Sequence, residues 1–514
     1  MYSNIKYDLK AGLVVFLVAL PLCLGIALAQ NAPLFSGIIA GVIGGIVVGT
    51  LSGSKLSVSG PAAGLTSIIL TSVNDLGSFQ AFLAAVCLAG IFQITLGVLK
   101  AGIIGYYFPT AVIKGMLSAI GVILILKQVP HLLGYDADLE GDESFRQIDG
   151  ENSFSEVSNT LQHFSYGSIL IGVASLLLLV LWQSNFIKKS RWLNQIPSAL
   201  LVVLLGIGMD WYFGANQPSL VVKDEHLVKL PAFNSVSQFF ASFTLPDFSA
   251  FKNTKLYEVA FIIAVVASLE TLLSLEAVDK LDPDNRISPN NRELVAQGIG
   301  NFLSGLLGGL PITSVIVRSS VNVNAGARSQ FSAIFHGILF LIAIFFIPHL
   351  LEMIPLSALA AILIMTGYNL AKPLMFKKIF KQGLDQFLPF LCTFVMMLFS
   401  DLLRGVSLGI FVSIIFILRQ NYRAPFKKIE EVIDGQLHIF VKFSPGITFI
   451  NKGKFIELFK SIPPHTQVYL DGGRAGFIDK DVLELISTFK EAGKHKNIVV
   501  HLEAIEEVEI LSHH

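Results

Sequence analysis

A chain of 514 residues in which 53% of side chains are hydrophobic and only 14% charged lies well under the roughly 25% charge of a soluble domain, so most of it is an integral membrane protein. Its formal net charge of +0 gives a nucleic-acid partner no electrostatic support. Three cysteines, Cys23, Cys87 and Cys392, all sit in apolar runs; this odd, buried set offers neither a disulfide framework nor a metal-binding spacing and suits small packing residues.

The first apolar run, Ala11 to Ala29, is too long for the hydrophobic region of a signal peptide, and Gln30-Asn31-Ala32-Pro33 leads at once into another such run. It reads as a first transmembrane helix. Crossing a bilayer takes about 20 apolar residues. On that measure, full or partial spans are predicted at about 11–29, 34–51, 61–73, 80–98, 108–129, 166–182 and 196–212. A second set follows at about 256–278, 293–309, 314–325, 330–349, 355–371, 385–400 and 402–419. The third member of each set is short and broken, by Gly60-Pro61 in the first and by Gly308-Gly309-Leu310-Pro311 in the second. An odd number of spans per half inverts the second half relative to the first, about an axis in the membrane plane. The expected fold is an all-α polytopic membrane protein of 14 transmembrane segments in a 7+7 inverted repeat, with repeat one over about 8–212 and repeat two over about 256–419. Broken backbone at membrane depth is tolerated only where protein or a water-filled cavity surrounds it. A matched pair of interrupted segments therefore points to a transporter's substrate site at the repeat interface.

Charge placement orients these spans. With the N-terminus inside, the short inner segments hold Lys6, Lys10, Lys55, Lys100, Lys188, Lys189, Arg191, Arg286, Arg292, Arg328, Lys372, Lys377, Lys378, Lys381, Arg423, Lys427 and Lys428, whereas the outer loop 131–165 carries Asp136, Asp138, Glu140, Asp142, Glu143, Asp149, Glu151 and Glu156. That asymmetry is the positive-inside pattern, and it puts both termini in the cytoplasm; the expected location is the cell's inner membrane. The outer loop 213–255, with Pro218, Pro231 and Pro246, has room for short strands.

After Tyr422 the pattern changes, so 1–422 is taken as the transport domain and 430–514 as a separate cytoplasmic unit. Leu437 to Phe443 alternates like a strand; a helix-like stretch runs from Lys452 to Phe459, and Val468-Tyr469-Leu470 reads as a buried strand. Asp479 is placed to cap a helix reaching Glu491, and Asn497 to His501 reads as a further strand. This β-α-β-α-β order implies a small α/β domain.

The chemistry concentrates at the two breaks. Pro61 and Pro311 fit at or near the first turn of a helix, where a missing N–H costs nothing. Beyond them, the amides around Ala62, Ala63 and Gly64, and around Thr313, Ser314 and Val315, are expected to face a cavity. Helix N-termini carry unpaired N–H groups and a partial positive charge, so two facing ones favour a small anion; the plainer alternative is a pair of Pro-kinked packing helices. Arg318 falls about two turns beyond Pro311. A buried Arg needs a partner or a cavity; here it either adds positive field to the anion site or pairs structurally. Glu270 lies mid-span with Ser274 one turn on, facing the same way. A carboxylate at that depth is a candidate proton carrier; with Ser274 and backbone carbonyls it is alternatively a sodium site, or else a structural ion pair. Lys114 and Lys127 are expected to snorkel, Asp401 and Arg404 to pair at the surface, and Glu276, Asp279 and Asp282 to be solvated. No Walker loop, His-Glu-x-x-His or nucleophile elbow occurs, so no enzyme, cofactor or ATP-driven pump is expected.

The opening Asp8-Leu9-Lys10-Ala11-Gly12-Leu13 with Ala19-Leu20-Pro21, the stretch Leu56 to Ala63, Asn291-Arg292-Glu293-Leu294-Val295-Ala296-Gln297-Gly298-Ile299-Gly300-Asn301, and Gly309-Leu310-Pro311 through Arg318 to Arg328 resemble the SulP inorganic anion transporters. The tail, through Leu470-Asp471-Gly472-Gly473 and Phe477-Ile478-Asp479, resembles a STAS domain. The resemblance implies core and gate domains, carriage of sulfate, bicarbonate, chloride or small carboxylates by an elevator motion, and a homodimer. It also implies an anion between the N-termini of spans 3 and 10, which maps onto Ala62, Ala63, Ser314, Val315 and Ile316, and a span-8 acidic residue that maps onto Glu270. Three positions depart from the pattern: Leu22 stands where many members have Gln, Glu270 where sodium-coupled bicarbonate members have Asp, and Gly472, Gly473 and Lys480 occupy the region of the Ser that some soluble relatives phosphorylate. The leading expectation is a proton-coupled symporter of sulfate or bicarbonate. The alternatives are a sodium-coupled bicarbonate symporter, a passive anion exchanger or channel governed by the tail, and a nucleobase transporter of the same 7+7 fold.

Overall fold

In a computed structural model, the described residues are 4–136, 159–160, 164–184, 187, 196–229, 242–346, 348–423, 425–433 and 435–508. The predicted acidic stretch from Asp138 to Glu156, the basic Lys188, Lys189 and Arg191, and Pro231 lie outside them. Packing divides the chain into two compact units, Met1–Ile410 and Phe411–His514.

The first half runs α1 (Ile5–Ala29), α2 (Leu34–Leu51), β1 (Ser59–Pro61), α3 (Thr66–Leu76), α4 (Phe79–Val98), α5 (Thr110–Leu133), α6 (Tyr166–Trp182) and α7 (Ser198–Asn216). The second half repeats the order with α8 (Thr254–Leu281), α9 (Asn290–Leu307), β2 (Ile312–Ser314), α10 (Ile316–Asn324), α11 (Phe331–Phe346), α12 (Leu356–Leu370), α13 (Leu384–Phe399) and α14 (Leu402–Arg423). These are the 14 segments of a 7+7 inverted repeat, each half interrupted at its third member. Among the described residues, eight helices are long and apolar enough to cross a membrane, and α6, α11 and α13 are shorter apolar ones. Local chemistry sets several boundaries. Ser78 caps α4 by accepting from Ala81 N, and Asn253 caps α8 by accepting from Lys255 N. Helix α9 ends at Gly308, whose φ of 85° is left-handed backbone that costs glycine nothing.

The helices sort into two bundles. In the core bundle α4 packs along α9 and α8, and α1 along α11 and α2; in the gate bundle α5 packs along α12 and α13, and α6 along α12 and α7. The α4–α9 seam has no room for a side chain at its centre: a Cβ on Gly298 would sit 2.6 Å from Gly90 O, and one on Gly90 2.6 Å from Gly298 O.

Four expectations need correction. Pro61 ends a strand and Pro311 precedes one, so neither occupies a first helical turn: the chain crosses the break extended, and proline's fixed φ suits that equally. The described part of loop 213–255 forms 3-10 turns at Pro218–Leu220, Asp224–His226 and Phe248–Lys252, with a single bridge from Leu227 to Pro355 in place of strands. Lys127 is only 7% exposed and does not snorkel, because the gate helices surround α5. Asp282 is buried rather than solvated, accepting from Arg286 Nε at 2.6 Å and from Asp284 N at 2.9 Å, which fastens the α8–α9 turn.

Just past the end of α5, Asp136 is held between two imidazoles, those of His131 and His226, which bond its two carboxylate oxygens. This ties the loop after α7 to the end of α5. Burial pushes the Asp136 carboxyl up, but the hydrogen bonds and charges of His131 and His226 outweigh it and leave the group below its ordinary 3.8. A folded-state pKa below the unfolded one contributes stability that is full above the unfolded value and is lost as pH falls through the folded one. Wild-type protein in detergent is therefore expected to keep its melting temperature down to about pH 4 and lose it below; Asp136→Asn should melt lower at neutral pH and show a flatter acid limb. Superimposable pH–melting curves for the two proteins would contradict this.

The second unit carries a four-stranded sheet in the order β3 (Phe426–Ile433), β4 (Gln436–Phe443), β6 (Gln467–Asp471), β8 (Val499–Glu503), antiparallel at the first pair and parallel after it, beside a short pair β5 (Gly446–Ile447) and β7 (Phe477–Ile478). Helices α15 (Lys452–Lys460) and α16 (Lys480–Lys494) contribute Phe455, Val482 and Ile486 to one core with Ile439, Val441, Val468 and Leu470. Asp479 caps α16 through Asp481 N. Strand β3 has no clean alternation (Phe426-Lys427-Lys428-Ile429-Glu430-Glu431) and is absent from the sequence-based expectation. It forms because its hairpin with β4 completes the sheet edge.

Candidate functional site

The two breaks come together. Strands β1 and β2 pair antiparallel with Ser59 opposite Ser314, Gly60 opposite Thr313 and Pro61 opposite Ile312. Ser57 Oγ and Ser314 Oγ share a hydrogen bond of 2.6 Å, Val58 N donates to Ser319 Oγ at 2.9 Å, and Val315 N donates to Val58 O at 3.0 Å. From this crossing the chain continues into the short helices α3 and α10.

Beside the crossing lies a small cavity of about 30 Å³. Its core-side lining is Leu22 and Ile26 of α1, Ala63, Glu270 and Ser274 of α8, and Val315 to Arg318; the gate side adds only Ile120 of α5 and Leu402 of α14. No side chain caps α10 at Val315. The first intrahelical bond there runs from Ser319 N to Val315 O at 3.0 Å, so the N–H groups of Ile316, Val317 and Arg318 precede it and have no intrahelical partner. They sit at the positive end of the helix dipole, in the cavity wall.

Of the predicted site residues, Ala63, Val315, Ile316, Arg318, Glu270 and Ser274 line this cavity, whereas Pro61, Ala62, Gly64, Thr313 and Ser314 do not. The amide tip is also displaced from its expected place. Ser314 N donates to Thr271 Oγ1 at 3.3 Å and Val315 N to Val58 O, so those two amides serve the protein, and the donors left for a ligand begin at Ile316. Ala62 is spent structurally too, its carbonyl accepting from Gln30 Nε2 at 3.0 Å.

Arg318 is the largest fully buried side chain, 0% exposed. Its Nη2 donates to Pro61 O at 3.4 Å, while Nε and Nη1 find no oxygen acceptor and the buried Cys23 thiol lies against the guanidinium. The guanidinium fits because residue 60 is glycine: a Cβ there would lie 2.0 Å from Nη1. A buried cation with unmatched donors is costly and supplies positive field to a neighbouring cavity. Glu270, 9% exposed, places its carboxylate against Gly64, where a Cβ would come within 3.1 Å of it. Ser274, one turn further along α8, faces the same cavity. Among the described residues no cluster of three or more His, Cys, Asp or Glu side chains is arranged to hold a metal ion.

The structure adds residues that the sequence reading did not assign. Leu22, Ile26, Ile120, Val317 and Leu402 make most of the wall apolar. Helix α9 turns a buried polar stripe, Glu293, Gln297, Asn301 and Ser304, toward the crossing. Its spacing of three and four residues inside an apolar span was a readable signal.

Comparison with known proteins gives a consistent result. The sequence profile of the sulfate permease family matches residues 5–393. YvdB of Bacillus subtilis (strain 168), whose name places it among sulfate transporters, is 27% identical over 423 residues, covering 82% of this chain and 75% of that protein. The bicarbonate transporter BicA of Synechocystis sp. is 25% identical over 449 residues, covering 86% and 74%. Among solved structures, the murine Solute Carrier 26 family member A9 anion transporter superposes with a TM-score of 0.70 at 17% identity, over 98% of this chain and 86% of that one. At that identity the likeness speaks to the fold.

Proposed function

The chain belongs to the sulfate permease family, an anion transporter and not an enzyme, and on that premise we propose that it is a secondary active carrier of a small inorganic anion, sulfate or bicarbonate, coupled to protons. The observation that carries the reading is the uncapped start of α10 beside the buried, partly unmatched Arg318 guanidinium, both at one cavity. Unpaired amides and a cation out of water favour negative charge. The apolar wall strips the ion of water and leaves those donors to replace its hydration.

An elevator motion suits this layout. Every polar group lining the cavity comes from the core bundle, and the gate contributes only Ile120 and Leu402. The core can therefore carry the whole site past a greasy, featureless surface without breaking a polar contact. Glu270 is the proposed proton carrier, with Ser274 beside it: adding a proton to its carboxylate makes the cavity one unit more positive and so favours anion loading. The reading also takes the termini as cytoplasmic, the protein as a homodimer in the inner membrane and the α/β tail as a STAS-like structural or dimerising element.

Proteoliposome uptake of labelled sulfate and labelled bicarbonate, with proton and sodium gradients imposed separately, tests this. The expected result is saturable uptake of at least one anion, accelerated by an inward proton gradient and indifferent to sodium, with counterflow from preloaded vesicles. Non-saturating flux without counterflow would make the protein a channel; acceleration by sodium alone would transfer the coupling role to a cation held at Glu270 and Ser274.

A further inference from the structure

The crossing that presents the anion site is a three-residue, two-stranded ribbon, and such a ribbon has little stability of its own. Each strand also has an outer edge whose N–H and C=O groups find no strand partner, at a depth where unsatisfied backbone is expensive. What occupies those edges therefore decides where the ribbon sits.

On β2 two side chains occupy it: Thr271 of α8 accepts from Ser314 N at 3.3 Å, and the carboxamide of Asn301 takes both backbone groups of Ile312. Asn301 of α9 donates from Nδ2 to Ile312 O at 2.9 Å and accepts at Oδ1 from Ile312 N at 2.6 Å. The carboxamide thus takes the place that a neighbouring strand's peptide group would fill. It is itself held, because Nδ2 also donates to Gln93 Oε1 at 2.6 Å, and Gln93 Nε2 donates to Ser268 Oγ at 3.3 Å. One turn back on the same face, Gln297 Nε2 donates to Ser59 Oγ of β1 at 2.7 Å and to Glu293 Oε1 at 3.0 Å, and Glu293 is bonded in turn by Ser52 Oγ. One turn forward, Ser304 Oγ donates to Leu310 O at 2.7 Å. All four α9 side chains are fully buried, and none lines the cavity.

We propose that Asn301, backed by Gln297, is the positioning residue of the anion site: α9 holds β2 and β1 by a side-chain imitation of a third strand and so fixes where the first-turn amides of α10 stand. Ile312 is four residues before Ile316, with extended chain between, so a shift of β2 moves the α10 tip directly. The opposite face of α9 is the glycine seam on α4, which makes this helix a rigid post between the seam and the ribbon. The inference rests on the anion-carrier reading above.

The test compares anion uptake kinetics per folded protein, together with melting temperature, for the wild type, Asn301→Leu, Gln297→Met and Asp136→Asn in proteoliposomes and detergent. Leu and Met match the size of the residues they replace and add no charge near the cavity. Both polar-stripe variants are expected to raise KM about tenfold, the scale of one lost buried hydrogen bond with its stranded partner, with a much smaller change in maximal rate. Asp136→Asn cuts the tie at the far end of α5, away from the cavity lining; it should lower the melting temperature and leave KM unchanged. Should Asn301→Leu fail to fold, Gln297→Met decides. An unchanged KM in the folded polar-stripe variants, or an equal rise in Asp136→Asn, overturns the assignment. Wild-type protein with no saturable anion uptake would instead sink the carrier reading itself.

Discussion

Replacing Arg318 with Gln is expected to abolish anion uptake while leaving the protein as heat-stable as before, or more so. The two effects have one cause. The Arg318 side chain is 0% exposed, its Nε and Nη1 find no oxygen acceptor, and its contact with Pro61 O is long at 3.4 Å. Folding therefore bears the cost of dehydrating a cation with donors left over, and a neutral side chain of similar length removes it, with Glu270 taking up a proton once its countercharge is gone. Binding of an anion provides the missing partner. Truncating one member of a buried charge pair costs about 2–5 kcal/mol, which at 1.4 kcal/mol per tenfold is a loss of roughly 30-fold or more in affinity. Arg318→Lys, a compact charge on a flexible stem, should fall between the two. Uptake kinetics and melting temperatures, each with and without saturating anion, check this. A melting temperature that drops in step with uptake would make Arg318 a structural brace and not part of the anion site.

Glu270→Gln is expected to remove the dependence of uptake on the proton gradient while sparing anion exchange. Glu270 and Arg318 are the charged side chains in the cavity lining. With the carboxylate ionised, their charges cancel; with it protonated, the cavity carries the guanidinium's charge alone and attracts an anion more strongly. Wild-type uptake should thus rise as the pH on the loading side falls. Coupling free energies of this kind are typically 1–3 kcal/mol, a 5–150-fold effect, so a tenfold acceleration in the wild type should shrink to near unity in the variant, whose amide mimics the protonated state at every pH. Uptake by Glu270→Gln that keeps the full pH dependence would move the coupling group elsewhere.

The transmembrane architecture was legible because hydropathy and charge are local. Runs of apolar residues locate the helices to within a few positions, α1 from 11–29 to Ile5–Ala29 and α8 from 256–278 to Thr254–Leu281. The two breaks announce themselves by Gly-Pro and Gly-Gly-Leu-Pro in otherwise apolar sequence. Cavity residues that lie at a break or carry charge in a span, such as Ala63, Val315, Arg318 and Glu270, were visible for the same reason: glycine, proline and charge are costly in lipid and so stand out. The tail was legible in its helices and central strands, but not in β3, whose pairing supplies what its own pattern does not.

The sequence by itself determined how many segments cross, where two of them break and that Glu270 and Arg318 lie deep, while it put the buried Lys127 and Asp282 near water. Only the tertiary structure decided what the breaks become. Ser57 and Ser314 bond across 257 positions of chain, β1 and β2 are too short for any periodicity to register, and the amides of Ser314 and Val315 are claimed by Thr271 and Val58. Asn301 reads as one more polar residue in a helix until its carboxamide is seen bonding both backbone groups of Ile312. Burial in lipid is a property each segment carries alone; satisfying an interrupted backbone at that depth takes donors and acceptors from distant segments, and which of them arrive is settled only when the whole bundle has packed.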